Sequence, residues 1–247
     1  KARAIAERAL QTINFRDEQE RLNVWVAYLN LECSFGSESE MMKLFERAKQ
    51  SNDPQTIWMQ FVQILERADK TDLAEDQYDK MSRRYRDSDK VWNSYILFRA
   101  HQGDMDGARK IFEKALNSLP PRKHIPVISK FARLEFEQGD AERGRTIFEG
   151  LVSNHPKRTD LWSIFLDMEI KHGSVQHVRN LFERSISMPL SSRKMRFFFR
   201  RYLDFEKEHG DEETVEYVKD RARDYVASLQ KQDASGSDAD VADSDAE

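Results

Sequence analysis

The sequence predicts an all-α protein, an α–α superhelix (solenoid) of helical hairpins, and three observations support this fold class. Aromatic pairs recur at spacing i, i+3, and their first members are separated by 33, 34, 36, 34 and 37 residues. A glycine follows eleven residues after five of the six first members. No segment alternates apolar and polar residues over a useful length, so no strand is predicted.

The recurring pairs mark the first helix, helix A, of about six repeats. The anchor pairs, with an isoleucine standing in once, are Trp25 with Tyr28, Trp58 with Phe61, Trp92 with Tyr95, Ile128 with Phe131, Trp162 with Phe165 and Phe199 with Tyr202. Residues three apart share one helix face, so each pair predicts an apolar stripe. We expect these side chains to be core rather than ligand-binding residues.

A turn and a second helix, helix B, follow each anchor pair. The glycines are Gly36, Gly103, Gly139, Gly173 and Gly210, with Asp69 in the second repeat. We expect left-handed glycines that end helix A, with the next Ser or Asp capping helix B. Twenty residues after the first anchor come Phe45, Tyr78, Phe112, Phe148 and Phe182, although Lys219 stands there in the last repeat. One such hairpin cannot bury its apolar face, so neighbouring hairpins must stack.

The repeats are predicted to fill residues 1–230, as an opening half repeat over 1–10 and then about six repeats. The half repeat has a B helix and lacks its A helix, so we expect the chain to be a fragment of a longer protein. Residues 231–247 are predicted to be a disordered acidic tail. Residues 232–247 contain six acids and no Lys or Arg. Their apolar surface is too small to offset the conformational entropy that is lost on ordering. Ser235, Ser237 and Ser244 each precede an acid by three residues and are candidate phosphorylation sites for an acid-directed kinase.

Composition argues against most chemistry. The net charge is −4, and removing the tail's six acids leaves +2 for the repeats (−4 + 6), which does not indicate a general nucleic-acid binder. The one cysteine, Cys33, excludes a disulfide framework and a cysteine-based zinc site. No run approaches the length of a membrane span, and no phosphate-binding glycine loop or nucleophile motif appears. We therefore predict no enzyme activity, no catalytic residue, no metal or cofactor and no membrane association. A site at His172 and His177 is disfavoured.

One basic cluster, Arg193, Lys194, Arg196, Arg200 and Arg201, is a candidate binding surface. It begins the last A helix, where the helix dipole disfavours cations. RNA or an acidic partner would explain it, and a solvated helix face is the alternative. We expect Phe197 and Phe198 to be exposed there and Phe199 to face the core.

Charged residues of helix B suggest two alternative ion pairings. In the first, each B-helix arginine pairs within its own helix at i, i+4. In the second, the A-helix acids Glu135 and Glu169 reach Arg145 and Arg179 of the same repeat and lock the hairpin.

The helix-A motif resembles the half-a-tetratricopeptide (HAT) repeat, which carries W-x-x-Y/F-x-x-x-E. Here it appears as Trp25, Tyr28 and Glu32 and again as Trp162, Phe165 and Glu169, whereas Leu65 and Arg99 replace the acid in repeats two and three. The helix-B motif of that family is similar to residues 108–115, Ala-Arg-Lys-Ile-Phe-Glu-Lys-Ala. The resemblance implies a role in RNA-processing assemblies.

Residues 7–25, 156–173 and 193–203 narrow the resemblance to the C-terminal region of the S1-domain rRNA biogenesis factors. It implies a nuclear, nucleolar scaffold of pre-ribosomal particles that supports pre-rRNA processing and small-subunit (18S rRNA) maturation. Implied partners are other ribosome-assembly proteins, with pre-rRNA bound mainly by S1 domains upstream of this fragment. A direct RNA-binding module and a self-associating module remain alternatives.

Overall fold

The computed structural model describes residues 1–14 and 16–239, with side chains described as far as residue 230. Over this part of the chain it shows helices and no strand, which confirms the all-α prediction. The helices are α1 (Ala2–Thr12), α2 (Glu18–Phe35), α3 (Glu38–Ser51), α4 (Pro54–Arg67), α5 (Thr71–Arg84), α6 (Asp89–His101), α7 (Met105–Ser118), α8 (His124–Gln138), α9 (Ala141–Asn154), α10 (Thr159–His172), α11 (Val175–Ile186), α12 (Ser192–His209) and α13 (Glu212–Ala239), with a short 3₁₀ turn at Pro121–Lys123.

The helices form the predicted hairpins. Even-numbered helices α2 to α12 are the A helices, odd-numbered helices α3 to α13 are the B helices, and α1 is the opening B helix. The chain divides into two compact units at a point within α8. The first unit spans Lys1–Leu134 and the second begins at Glu135. Within the first unit α2 packs against α1 and α3, and within the second α10 packs against α9 and α11. In both units an A helix is thus enclosed by the B helices before and after it.

Side-chain caps start most B helices, as predicted. The hydroxyl of Ser37 accepts a hydrogen bond from the Glu40 N–H. The Glu40 carboxylate accepts one from the Ser37 N–H in return, which completes a capping box. Asp104, Asp140 and Ser174 accept backbone N–H bonds in the same way. Ser88 precedes the A helix α6 and makes no side-chain cap there. Its hydroxyl accepts from the Gln55 side chain of α4 at 2.5 Å, so it links two A helices.

The predicted tail is only partly described. Helix α13 continues to Ala239, and residues 240–247 lie outside the described residues. The disordered tail therefore stays a prediction. In the described part of the chain, no helix is both long enough and apolar enough to cross a bilayer.

Gly150 offers a simple test of helix packing. It lies inside α9, and a Cβ atom built there has nothing within 4 Å. Glycine in a helix interior costs about 0.5–1 kcal/mol relative to alanine. We therefore expect Gly150→Ala to raise the free energy of unfolding by about that amount, measured by urea unfolding. A loss of stability would mean that another group occupies this surface.

Candidate interaction surfaces

A stacked pair of rings joins each hairpin to the next. The B-helix aromatic of one repeat stacks on the second anchor of the following A helix, with interplanar angles of 17° or less. The centroid separations are 4.1 Å for Phe45 on Phe61, 5.1 Å for Tyr78 on Tyr95, 4.0 Å for Phe112 on Phe131, 5.3 Å for Phe148 on Phe165 and 4.7 Å for Phe182 on Tyr202. These rings are structural, because most are fully buried.

Two of these anchors show how completely the rings are used in packing. Phe61 is 0% exposed and Phe131 is 3% exposed. Both are repeat anchors in the sequence, and the structure places both in the core between hairpins rather than in a binding site. Neither Phe61 nor Phe131 therefore presents a surface to a ligand or a partner.

Two tryptophan anchors, Trp92 and Trp162, fix the connections that precede their helices. The Trp92 indole N–H donates to the Arg86 carbonyl at 2.8 Å, and that of Trp162 donates to the Pro156 carbonyl at 3.0 Å. Both carbonyls lie in the connection just before helix A, so each indole ties a turn to its own helix. Trp58 is half-buried and bonds to Gln77 of the following B helix instead.

A buried carboxylate in helix A pairs with an arginine of the preceding repeat. Arg145 Nε and Nη2 donate to the two oxygens of Glu169 at 2.6 and 3.0 Å, and Arg179 contacts Glu206 in the same two-pronged way at 2.9 and 2.8 Å. Arg3 in the opening half repeat does likewise with Glu32, at 2.6 and 2.9 Å. Hydrogen bonds to the carboxylates raise the pKa of all three arginines. Glu32, Glu169 and Glu206 are 4%, 1% and 1% exposed.

The predicted pairing of Glu169 with Arg179 within one hairpin is therefore wrong. Glu169 meets Arg145 rather than Arg179 of its own repeat, and the arginine–glutamate pair joins successive hairpins. The i, i+4 alternative fails for Arg145 and Arg179 as well. Glu149 instead bonds to Arg184 of the next B helix at 2.7 Å. Glu183 contacts Arg221, again one B helix further on.

The polarity of this pair is reversed once. At the contact between α5 and α6, Glu75 occupies the arginine position of helix B and Arg99 the glutamate position of helix A, and the two form a salt bridge. Arg99 also bonds to Asp104 at 3.1 Å. At the preceding contact, Met42 and Leu65 occupy the two positions, so both charges are missing together. The residues at the two positions are therefore complementary at each of these contacts, either oppositely charged or both apolar.

The buried carboxylate also explains the glycine that follows it by four residues. A Cβ atom on Gly36, Gly173 or Gly210 would lie 2.1–2.3 Å from a carboxylate oxygen of Glu32, Glu169 or Glu206. These glycines have φ values of −96°, −94° and −108°, so the predicted left-handed conformation is wrong there. They are required for space rather than for backbone freedom.

Left-handed helix ends appear where the acid is missing. Asp69 has φ 55° and Gly103 has φ 75°, and they follow Leu65 and Arg99 by four residues. The next N–H reaches back five residues in both cases, from Lys70 to the Leu65 carbonyl and from Asp104 to the Arg99 carbonyl. This bond is the signature of the Schellman helix end. The side chain at the acid position thus decides how helix A ends.

The basic cluster on α12 is split by the fold. Arg201 donates to the Ser163 hydroxyl at 2.8 Å and forms an ion pair with Asp167, so it joins α12 to α10. Arg193, Lys194, Arg196 and Arg200 are exposed. The ammonium of Lys194 donates to the Lys157 carbonyl at 3.3 Å. These four residues form a surface that we name the α12 basic surface.

Among the three phenylalanines beside this surface, the fully buried one is Phe198 and not Phe199 as expected. Phe197 is 44% exposed, as expected, whereas Phe198 is fully buried. Phe199 is half-buried and its ring lies 5.7 Å from that of Tyr225 in α13. The Arg201 guanidinium lies 5.8 Å from the Phe197 ring centroid.

Two searches of the described residues bear on catalysis, one of a surface cleft and one of possible metal ligands. A cleft of about 560 Å³ lies beside α2, α3 and the start of α4, lined by Arg21, Gln50 and Asn52 among others, without a paired nucleophile and base. No group of three His, Cys, Asp or Glu residues is placed to hold a metal ion in this part of the chain. The ring of His172 packs against Phe136 at 6.0 Å, and His177 lies in the first turn of α11. The candidate phosphorylation sites Ser235, Ser237 and Ser244 follow residue 230, the last residue whose side chain the structure describes.

The repeating A–B hairpins, their stacked rings and their shared arginine–glutamate pair define a helical-repeat protein. A family model described as "Pre-mRNA-splicing factor Syf1/CRNKL1 C-terminal HAT repeat" matches residues 43–192. The chain belongs to the HAT-repeat family.

Longer curated proteins are similar to almost the whole chain. It is 48% identical over 226 residues to the mouse "Protein RRP5 homolog", covering 92% of this chain and 12% of that protein. It is 46% identical over 230 residues to the Arabidopsis thaliana "rRNA biogenesis protein RRP5" and 42% identical over 226 residues to the Schizosaccharomyces pombe protein rrp5. The chain thus spans 12–13% of the length of these relatives. These similarities confirm the narrower resemblance predicted from the sequence.

Proposed function

We propose that this chain is a non-catalytic protein-interaction scaffold that supports rRNA biogenesis in pre-ribosomal particles. The observation that carries the proposal is the identity of 42–48% to proteins named for rRNA biogenesis or as RRP5 homologues, over 92% of the chain. The finer proposal is a nucleolar role in pre-rRNA processing and small-subunit (18S rRNA) maturation. Ribosome-assembly proteins are the proposed partners, and pre-rRNA would be bound mainly by upstream S1 domains of the longer protein.

The geometry supports a scaffold because the buried charged groups are used in packing. Glu32, Glu169 and Glu206, which would be the acids to examine in an enzyme, each hold an arginine of the neighbouring repeat. A charge engaged by two hydrogen bonds in a buried pair is poorly placed to exchange protons with a substrate. The exposed helix faces remain as the surface for partners.

Capture from nuclear extract, with and without ribonuclease, tests the proposal. The immobilised chain is expected to retain ribosome-assembly proteins, identified by mass spectrometry, after ribonuclease treatment. Loss of all ribosome-assembly proteins on ribonuclease treatment would contradict the scaffold proposal.

A second candidate is direct RNA contact through the α12 basic surface. The observation behind it is that four exposed cations lie in the first half of a helix, where the helix dipole does not explain them. If RNA is bound there, the variant Arg193→Glu/Arg196→Glu/Arg200→Glu should lose the ribonuclease-sensitive part of the captured material. Self-association is a third alternative, and the exposed large apolar side chains described include Ile5, Phe35 and Val226.

A further inference from the structure

A groove of about 450 Å³ lies between two successive B helices of the first unit, with α5 and α7 as its walls and α6 between them. Asp72, Asp76 and Asp79 line the α5 wall, whereas Lys110 and Lys114 line the α7 wall. All of these side chains are exposed except that of Asp79, which is half-buried. The groove, which we name the α5–α7 groove, therefore presents opposite charges on its two sides.

Ion pairs cross between successive B helices at three other contacts in the described part of the chain. These pairs are Glu7 with Arg47, Glu149 with Arg184 and Glu183 with Arg221. In each pair the acid lies 21 residues after the first anchor position of its repeat, and the arginines of repeats with an anchor lie 22 residues after it.

The α5–α7 groove lacks this crossing pair. Asp79 and Lys114 occupy the same two positions of their repeats. Asp79 pairs instead with Arg83 of its own helix, and Lys114 has no ion pair among the described side chains. The groove that Glu149 and Arg184 cross has a volume of about 290 Å³. The α5–α7 groove is therefore both larger and uncrossed.

The charges of both walls are available to a ligand. Among the described side chains Asp72 and Lys110 form no ion pair, and Asp76 pairs with the exposed Lys80 of its own helix. Exposed pairs within one helix contribute little to stability, so a cation of the ligand can replace Lys80 at small cost. A polyanion such as RNA would be repelled by the α5 acids, and a polycation by the α7 lysines. A ligand that fits the groove therefore carries both charges.

An extended peptide presents charges at the required spacing. Its successive side chains point to opposite sides, and the side chains on one side are about 6.6 Å apart. Asp72 and Asp76 are four residues apart in a helix, a rise of about 6 Å, and so are Lys110 and Lys114. Asp76 and Lys110 both lie 18 residues after the first anchor of their repeat, so they occupy equivalent levels of the two walls. A peptide of alternating charge therefore meets both walls along its length.

We propose that the α5–α7 groove binds an extended segment of a protein partner in which basic and acidic residues alternate. The basic side chains of the segment pair with the α5 acids, and its acidic side chains pair with the α7 lysines. This inference deepens the scaffold proposal, and it rests on that proposal only in taking the partner to be a protein.

Binding of two synthetic peptides to the full chain tests the groove directly. One peptide repeats Lys-Glu four times, and the other has the same composition arranged as four lysines followed by four glutamates. Fluorescence anisotropy of the labelled peptides at low salt measures both affinities. The alternating peptide should bind at least about tenfold more tightly, because only it satisfies both walls along its length. It should be released at 1 M salt, where the Debye length falls to about 3 Å.

Reversal of the walls makes the test specific. The variant Lys110→Glu/Lys114→Glu makes both walls acidic and should weaken binding of the alternating peptide by about tenfold. Addition of Asp72→Lys/Asp76→Lys to that variant exchanges the two walls. Binding should then recover, because an alternating peptide fits the exchanged walls after a shift of one residue.

The matched control is Lys43→Glu/Lys171→Glu, which makes the same change in charge at exposed lysines of α3 and α10. It should bind the alternating peptide as the unchanged chain does, and circular dichroism checks that every variant is folded. Equal or undetectable binding of the two peptides would overturn the proposal. So would binding that is unchanged in the Lys110 and Lys114 variant, or that stays weak after the walls are exchanged in a folded chain.

A labelled single-stranded RNA is the last probe. If RNA bound the full chain and lost that binding in Lys110→Glu/Lys114→Glu, the groove would be an RNA site and the peptide proposal would be wrong. Because these experiments use purified chain and synthetic ligands, their failure leaves the capture of ribosome-assembly proteins from extract as a separate result. The scaffold proposal and the groove proposal can thus fail independently.

Discussion

Replacing Arg145 with alanine is expected to lower the free energy of unfolding by about 3 kcal/mol, since removing one partner of a buried ion pair strands the other. The Glu169 carboxylate is 1% exposed and receives two hydrogen bonds from Arg145. After the substitution it stays buried in the packed interface between two hairpins without its cation. We take the lower end of the known range because the Arg145 side chain is 17% exposed and water can reach part of the site.

Thermal unfolding followed by circular dichroism measures this loss. For a chain of this size the melting temperature should fall by about 6–12 °C. The matched control is Arg143→Ala, which removes an exposed arginine two residues away in the same helix and should change stability by no more than about 0.5 kcal/mol. Equal shifts in melting temperature for the two variants would show that the buried pair adds nothing to the stability of the chain.

Gly173→Ala is expected to destabilise the chain by about 2 kcal/mol, as overpacking does. The backbone at Gly173 has φ −94° and ψ −175°, which alanine adopts without strain. The methyl group would nevertheless lie 2.1 Å from a Glu169 carboxylate oxygen and 2.7 Å from the Glu169 carbonyl oxygen. Because one of these atoms is backbone and the other is held by Arg145, neither can move away cheaply.

The comparison with Gly150→Ala makes this prediction specific. Both substitutions add one methyl group at a non-left-handed glycine in the second unit, yet they should change stability in opposite directions. Urea unfolding of the two variants side by side measures the difference. A neutral or stabilising Gly173→Ala would mean that the carboxylate does not occupy that space.

The hairpins and their period were predictable because they are encoded in spacings along the chain. Capping and aromatic stripes are local properties, and they appear where the sequence places them. The partner of each buried glutamate was harder to predict, because it depends on how separate hairpins meet. Glu169 lies ten residues before Arg179 and 24 after Arg145, and spacing alone does not choose between them.

The sequence nevertheless contained the information needed to choose. Arg99 and Arg109 are both cations of the third repeat, so pairing within one hairpin would oppose like charges there. Glu75 of the preceding repeat supplies the opposite charge, as the structure shows. A match between charges of successive repeats thus indicated a contact between hairpins.

The burial of Phe198, which differs from the expectation, also follows from the repeat. The residue before the first anchor is apolar and buried in several other repeats, as Ile57, Val91 and Leu161 show. Phe198 occupies this position in the last repeat and is buried for the same reason. The apolar stripe of helix A thus has a third position, one residue before the first anchor.

A charge exchange at one contact tests most directly whether the paired positions hold neighbouring hairpins together. The natural pair Glu75–Arg99 shows that the reversed polarity fits this fold. Gly173 can also adopt the left-handed helix end that Gly103 adopts after Arg99. The measurement is a double-mutant cycle of Arg145→Glu, Glu169→Arg and the double variant, each unfolded in urea.

The expected result is that each single variant is strongly destabilised and that the double variant recovers, with a coupling energy of at least about 2 kcal/mol. Coupling below about 0.5 kcal/mol, the level of independent sites, would contradict the central claim that this pair joins successive repeats.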